Sequence, residues 1–126
     1  MKRTIHTDDA PEAVAAYSQG TTNGDLVFTA GQVGLTPDGE SLVDEPVSVQ
    51  TERVLDSIAA ILEEAGTSLD NVLKTTVYLA DLDDYEEMNE VYGSYFDEEP
   101  PARSAFEVAA LPLGMAVEIE AVATVE

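Results

Sequence analysis

Arg103 follows Pro100-Pro101-Ala102 and stands where an extended apolar run, residues 104–111, begins. The chain has 26 acidic residues against five lysines and arginines, so each base it keeps is conspicuous. A planar guanidinium held on a strand grips a carboxylate through two parallel hydrogen bonds. The competing reading is a solvated ion-pair partner, and scarcity of bases weighs against it. Glu118 and Glu120 share one face of the last alternating segment. Either one, beside a bound substrate, orients or deprotonates a water, and both also fit a solvent-facing strand. Alternation does not choose between them.

Three weaker candidates accompany these. Tyr17 is either a cleft aromatic or an ordinary half-buried one. Asn89 lies mid-helix, where asparagine is usually just exposed. Ala30-Gly31 closes a strand, and glycine there marks a bulge or the close approach of a ligand or another backbone. Other chemistries lack their residues. The one histidine, His6, is near the start, and there is no cysteine, so histidine triads, thiolate metal sites and disulfides are not expected. Asp81-Leu82-Asp83-Asp84 resembles the start of a calcium loop, but Glu86 stands where its glycine is needed and Tyr92 where its glutamate is needed. Residues 81–99 hold nine acids and no base, a solvated helix face. The glycines form neither a P-loop nor a dinucleotide fingerprint. Neither metal nor cofactor is expected.

The elements that position these residues are short. Residues 2–7 form an edge strand, and Asn23-Gly24 marks a hairpin turn. Residues 26–30 form a strand apolar enough to be buried on both faces. Asp44-Glu45-Pro46 starts a helix over residues 47–65, with Val54, Ile58, Ile61, Leu62 and Ala65 on one stripe and Gly66 as its stop. Residues 72–80 form a strand, with Leu73, Val77 and Leu79 on one face and Lys74, Thr76 and Tyr78 on the other. Asp83 and Glu86 have capping-box spacing for a helix over residues 85–96, striped by Met88, Tyr92, Tyr95 and Phe96. Residues 104–111 and 117–125 are the last strands. This order predicts an α+β sandwich with two helices on one face of a mixed sheet. The other face carries Tyr78, Arg103 or its neighbours, and Glu118, and is only partly polar, which fits cover by another subunit.

With 126 residues, 44% of them hydrophobic, the chain fits one domain over residues 1–126. No apolar run approaches the roughly 18 residues of a membrane span, so a cytoplasmic protein without membrane contact is expected. The formal net charge of −21 is hostile to nucleic acid. Its acids are interleaved with periodic apolar residues, which fits a folded, halophilic protein with an acidic surface. An acidic surface serving a basic partner is the alternative.

The motifs, in order, carry a resemblance. They are Ala10-Pro11, Tyr17-Ser18-Gln19-Gly20, Thr29-Ala30-Gly31-Gln32, Ala65-Gly66, Lys74-Thr75-Thr76-Val77-Tyr78, Asp81-Leu82-Asp83-Asp84-Tyr85, Asn89, Tyr92, Pro101-Ala102-Arg103-Ser104, Leu111-Pro112 and Glu118-Ile119-Glu120-Ala121. Together they resemble the YjgF family of reactive-intermediate deaminases, also called RidA or 2-iminobutanoate/2-iminopropanoate deaminases. The resemblance implies a chorismate-mutase-like α+β fold and a homotrimer, a trimeric barrel with clefts between subunits. It also implies hydrolysis of enamines and imines of small 2-oxo acids to the 2-oxo acid and ammonia, without cofactor or metal. Arg103 would hold the substrate carboxylate and Glu118 would activate the water. Gly31 would give a backbone contact, and Tyr17 and Asn89 would shape the cleft. The chain departs from the family at Ala30, often serine, and at Ala105, often cysteine, where backbone contacts would survive. Ala15-Ala16 replaces a familiar Gly-Pro. The alternative is a non-catalytic binding module for a small carboxylate such as a 2-oxo acid, which needs Arg103 but not Glu118. A nuclease or translation inhibitor, an activity attributed to some relatives, is disfavoured by the charge.

Overall fold

The computed structural model describes residues 1–125. Strands β1 (Arg3–Ile5), β2 (Gly20–Thr22) and β3 (Leu26–Thr29) are followed by helix α1 (Val47–Glu64) and strand β4 (Val72–Leu79). Helix α2 (Tyr85–Tyr95) and strands β5 (Ala102–Glu107) and β6 (Val117–Thr124) complete the fold. The strands form one six-stranded sheet in the order β1-β2-β3-β6-β4-β5. Only β4 and β5 run parallel; the other neighbours are antiparallel. This is the expected α+β arrangement, with a mixed sheet.

β6 lies inside the sheet, and its alternation explains the layering. Val117, Ile119, Ala121 and Ala123 are buried beneath the helices, while Glu118 and Glu120 point to the opposite, uncovered face. α1 contributes Val54, Leu55, Ile58, Ile61 and Leu62 to the core, and α2 contributes Met88, Tyr92 and Phe96. α1 ends in a Schellman motif. Thr67 N–H donates to Leu62 C=O at 2.9 Å and Gly66 N–H to Glu63 C=O at 3.0 Å, with Gly66 at φ 90°. Among the described residues no helix is long and apolar enough to cross a membrane.

Four details differ from the sequence reading. A bulge between Val72 and Lys74 turns Leu73 outward, 51% exposed, and puts Val72 in the core in its place, with Thr75, Val77 and Leu79. Phe28 on β3 is 47% exposed, because the helices cover only one face of the sheet. The capping box does not form: a 3₁₀ turn, Leu82–Asp84, precedes α2, and Asp81 caps that turn by accepting Asp83 N–H at 2.9 Å. β5 starts two residues early and stops at Glu107. Its partner β4 ends at Leu79, opposite Glu107, and the pairing closes with Val108 N–H donating to Leu79 C=O at 2.9 Å.

A methyl group added at Gly66 meets nothing within 4 Å. Gly66→Ala should therefore reveal the cost of the left-handed backbone alone, about 1 kcal/mol. Denaturant unfolding at high salt measures it.

Candidate active site

The carboxylate half of the site is built on β6. Beyond the end of β3 the chain stays beside β6: Gln32 N–H donates to Ile119 C=O at 2.9 Å, and Ile119 N–H returns a bond to Gln32 C=O at 3.1 Å. This bridge brings Gly31 against Glu118. A Cβ on Gly31 would lie 1.9 Å from Glu118 Oε2, so any side chain there would displace the carboxylate. That contact separates Glu118 from Glu120, which alternation left equivalent. Burial, and then the nearby charge of Glu120, push the Glu118 carboxyl above the usual glutamate range. Tyr78, on the same face, is pushed up by burial and by both glutamates. Glu118, Tyr17, Ala30, Gly31, Val33 and Leu113 line a cavity of about 440 Å³.

The arginine half is built on β5 and α2. Arg103 pairs in register with Thr75, whose side chain points to the helices, so Arg103 points there too. Arg103 Nη1 donates to Asn89 Oδ1 at 2.7 Å, and Nη2 donates to the Tyr85 hydroxyl. The guanidinium carbon lies 4.7 Å from the Tyr92 ring centroid, within cation–π range. Tyr92 is fixed in turn by a 2.6 Å hydrogen bond between its hydroxyl and Thr75 Oγ1. Its phenol is pushed up by burial, with the Thr75 bond and the Arg103 charge working the other way. A cavity of about 390 Å³ opens beside Arg103, bounded by Asn89, Tyr92, Gly93, Phe96 and Pro100-Pro101.

The structure thus gathers the sequence candidates into two groups. Tyr17, Ala30, Gly31 and Glu118 form one; Arg103 and Asn89 form the other. Of the alternatives left open for the uncovered face, Arg103 or its neighbours, the neighbours lie there: Ser104 and Phe106, in register with Thr76 and Tyr78. Arg103 and Glu118 lie two strands apart, three residues out of register and on opposite faces. At ~4.8 Å between strands and ~3.3 Å per residue, their Cα atoms are roughly 14 Å apart. Ala105 packs its methyl against the core. Val108 N–H bonds Leu79 C=O, so period-two alternation aims the N–H groups of Arg103 and Ala105 at the free edge of the sheet. Sequence reasoning gave neither Tyr85 nor Tyr92 a site role, although both stand in the motifs that carry the resemblance; Tyr92 was also read as part of an apolar stripe, which hides a phenol hydroxyl. Among the described residues no group of three or more His, Asp or Glu could hold a metal ion.

Fold and site define a class: an α+β chain with two helices on one face of a mixed sheet, an edge-strand arginine held by uncharged groups, and a half-buried glutamate on the other face. The family model described as endoribonuclease L-PSP matches residues 7–125. A RutC family protein of Pyrococcus abyssi is 48% identical over 97% of this chain and 96% of its own length. The human 2-iminobutanoate/2-iminopropanoate deaminase is 42% identical over 98% of this chain and 90% of its own. Among solved structures, yeast Mmf1 superposes with a TM-score of 0.96 at 37% identity, covering 100% of both chains. The chain belongs to the endoribonuclease L-PSP family, which is the YjgF/RidA family.

Two outcomes follow from the Glu118 environment. Gly31→Ala should abolish any activity that depends on Glu118 while leaving the melting temperature nearly unchanged, since the displaced atom is the free end of a side chain. The folded Glu118 carboxyl titrates above its unfolded counterpart, so proton binding favours the folded state. The linked stability is full below the unfolded pKa and is lost as pH rises through the folded one. Glu118→Gln cannot ionise and should be more stable than wild type at neutral pH, the gap closing in acid. Thermal melts across pH check the sign.

Proposed function

We propose that the chain is a deaminase that hydrolyses reactive enamine and imine intermediates of small 2-oxo acids to the 2-oxo acid and ammonia. The observation that carries this reading is the state of Arg103. Among the described residues the one ion pair is His6–Asp8, so none of their carboxylates lies within 4.0 Å of the Arg103 guanidinium. Asn89, Tyr85 and Tyr92 orient its charge without neutralising it. Such a group is ready to take a ligand carboxylate in a two-bond fork. The free-edge N–H of Ala105 offers a third donor. The human relative's name, 2-iminobutanoate/2-iminopropanoate deaminase, specifies substrates that carry this carboxylate.

Glu118 supplies the base. A carboxyl pushed above the ordinary range is a stronger base when ionised and sits closer to working pH. It takes one proton from water as the water oxygen bonds to the imine carbon and the C=N π pair moves to nitrogen, and it passes that proton on to the nitrogen. In the resulting carbinolamine Glu118 takes the hydroxyl proton and relays it to nitrogen, so that the C–N bond breaks, the C=O bond forms and ammonia leaves with the base regenerated. The imine is already electrophilic, so position and one proton-handling group suffice.

One chain keeps Arg103 and Glu118 apart, so this mechanism needs a second copy. The reading is a homotrimer whose uncovered sheet faces line a central barrel. Arg103, on the edge strand of one subunit, meets Glu118, Gly31 and Tyr17 of its neighbour. Half-exposed Phe28, Phe106 and Leu73 are the apolar surface such an assembly would cover. The net charge fits a cytoplasm rich in salt and leaves no basic patch for RNA phosphates, which sets this chain apart from the endoribonuclease of the family's description.

The test uses 2-aminoacrylate generated from serine by a dehydratase at high salt. Its decay should accelerate with the wild-type protein and not with Arg103→Ala; unchanged acceleration in that variant would sink the carboxylate clamp. Glu118→Gln should lose about 100-fold in rate, as expected for a general base, yet still bind 2-oxobutanoate. Wild-type binding without turnover would instead establish a binding module.

A further inference from the structure

Residues 6–19 connect β1 to β2 without regular structure. Because β1 and β2 pair, the ends of this segment are close, as in an Ω-loop closed by its own side chains. Gln19 is the side chain that closes it. It is 2% exposed, and its amide makes four hydrogen bonds to the backbone of the same loop. Thr7 N–H donates to Gln19 Oε1 at 2.7 Å. Nε2 donates to the carbonyls of Thr7 at 3.0 Å, Ala10 at 3.3 Å and Pro11 at 2.8 Å. The loop's tip is left exposed and carries Val14 and Tyr17 to the cavity that Glu118 and Gly31 also line.

The backbone of Gln19 makes a second connection. Its C=O accepts Ala30 N–H at 2.8 Å, immediately before the glycine that cradles Glu118. One residue therefore joins the base of the Tyr17 loop to the Ala30-Gly31 turn. A buried amide with four partners has one low-energy placement, and losing it strands several backbone groups away from water.

We propose that Gln19 is a positioning residue for ligand binding. It holds Tyr17 at the cavity mouth in fixed relation to Gly31 and Glu118, and so sets the affinity for the 2-oxo acid. This rests on the proposed place of Tyr17 in the ligand cleft. Gln19 touches no ligand itself; it acts through Tyr17 and the Ala30-Gly31 turn.

Calorimetric titration of the full chain with 2-oxobutanoate at high salt tests it. Gln19→Met keeps the length and loses the amide, and should weaken binding about tenfold, which is 1.4 kcal/mol. Tyr17→Ala should also weaken binding, but add nothing further to Gln19→Met, because the aromatic is already out of place. Thr67→Val removes two remote, partly buried hydrogen bonds, Thr67 Oγ1 donating to Thr124 C=O at 2.7 Å and Asn71 Nδ2 donating to Thr67 Oγ1 at 3.1 Å, and should lower the melting temperature with affinity unchanged. Unchanged affinity in Gln19→Met, or losses that simply add with Tyr17→Ala, would overturn the proposal. Where Gln19→Met does not fold, Gln19→Glu serves. Its ionised carboxylate faces three carbonyl oxygens, while its protonated form can donate again, so its affinity relative to wild type should recover on acidification. A ratio independent of pH would count against the positioning role. Binding is read without turnover, so a wild type that binds 2-oxobutanoate but deaminates nothing refutes the deaminase reading alone.

Discussion

Side chains alternate across a β-sheet, and here that alternation keeps the two decisive charges apart. Arg103 is in register with Thr75 and faces the helices; Glu118 is in register with Tyr78 and faces away. Were they neighbours on one face, they would form an ion pair. Glu118 would then titrate below the ordinary range and lose basicity, and Arg103 would offer a ligand only a shared charge. Separation leaves the guanidinium to uncharged partners and leaves the carboxyl raised by burial and by Glu120. In the proposed reaction, which uses both groups, a second copy of the sheet would have to bring them together.

The carboxylate side depends on irregular chain, and irregular chain must satisfy its backbone hydrogen bonds individually. Two buried amides do much of this. Gln19 closes the loop between β1 and β2. Gln50, on α1, donates to the carbonyls of Val43 and Glu45 and accepts the N–H of Ala116, two residues before Glu118. Gly34 packs on the Gln50 side chain, where an added Cβ would lie 3.2 Å from its Cγ. The loops walling the cavity are therefore held by side chains that never enter it. An amide suits the task because it has both donors and acceptors and carries no charge to desolvate.

This explains what could be read from sequence and what could not. The α1 stripe, the Asn23-Gly24 turn, the Gly66 stop and the two faces of β6 are local patterns, and each is present in the fold. The face of Arg103 is not local. It follows from register with β4, and the β4 pattern is broken at its start by a bulge that alternation cannot reveal. The choice between Glu118 and Glu120 likewise required Gly31, distant in sequence and adjacent in space. Tyr85 and Tyr92 lay hidden for another reason: a tyrosine at helical spacing counts as apolar bulk, while its hydroxyl, which decides its role here, leaves no periodic mark.

The charge of the whole chain bears on the same two groups. An anionic substrate approaching a protein of net charge −21 is repelled at long range. In dilute buffer that field extends ~10 Å, but at molar salt the screening length falls to ~3 Å, about the reach of a single hydrogen bond. Under those conditions the surface acids scarcely oppose entry, while the Arg103 contact, partly buried and fixed by Asn89 and Tyr85, is screened far less. A surface this acidic is then compatible with binding small anions because the recognition is local. In the proposed role, one oriented guanidinium would do the work of a basic funnel.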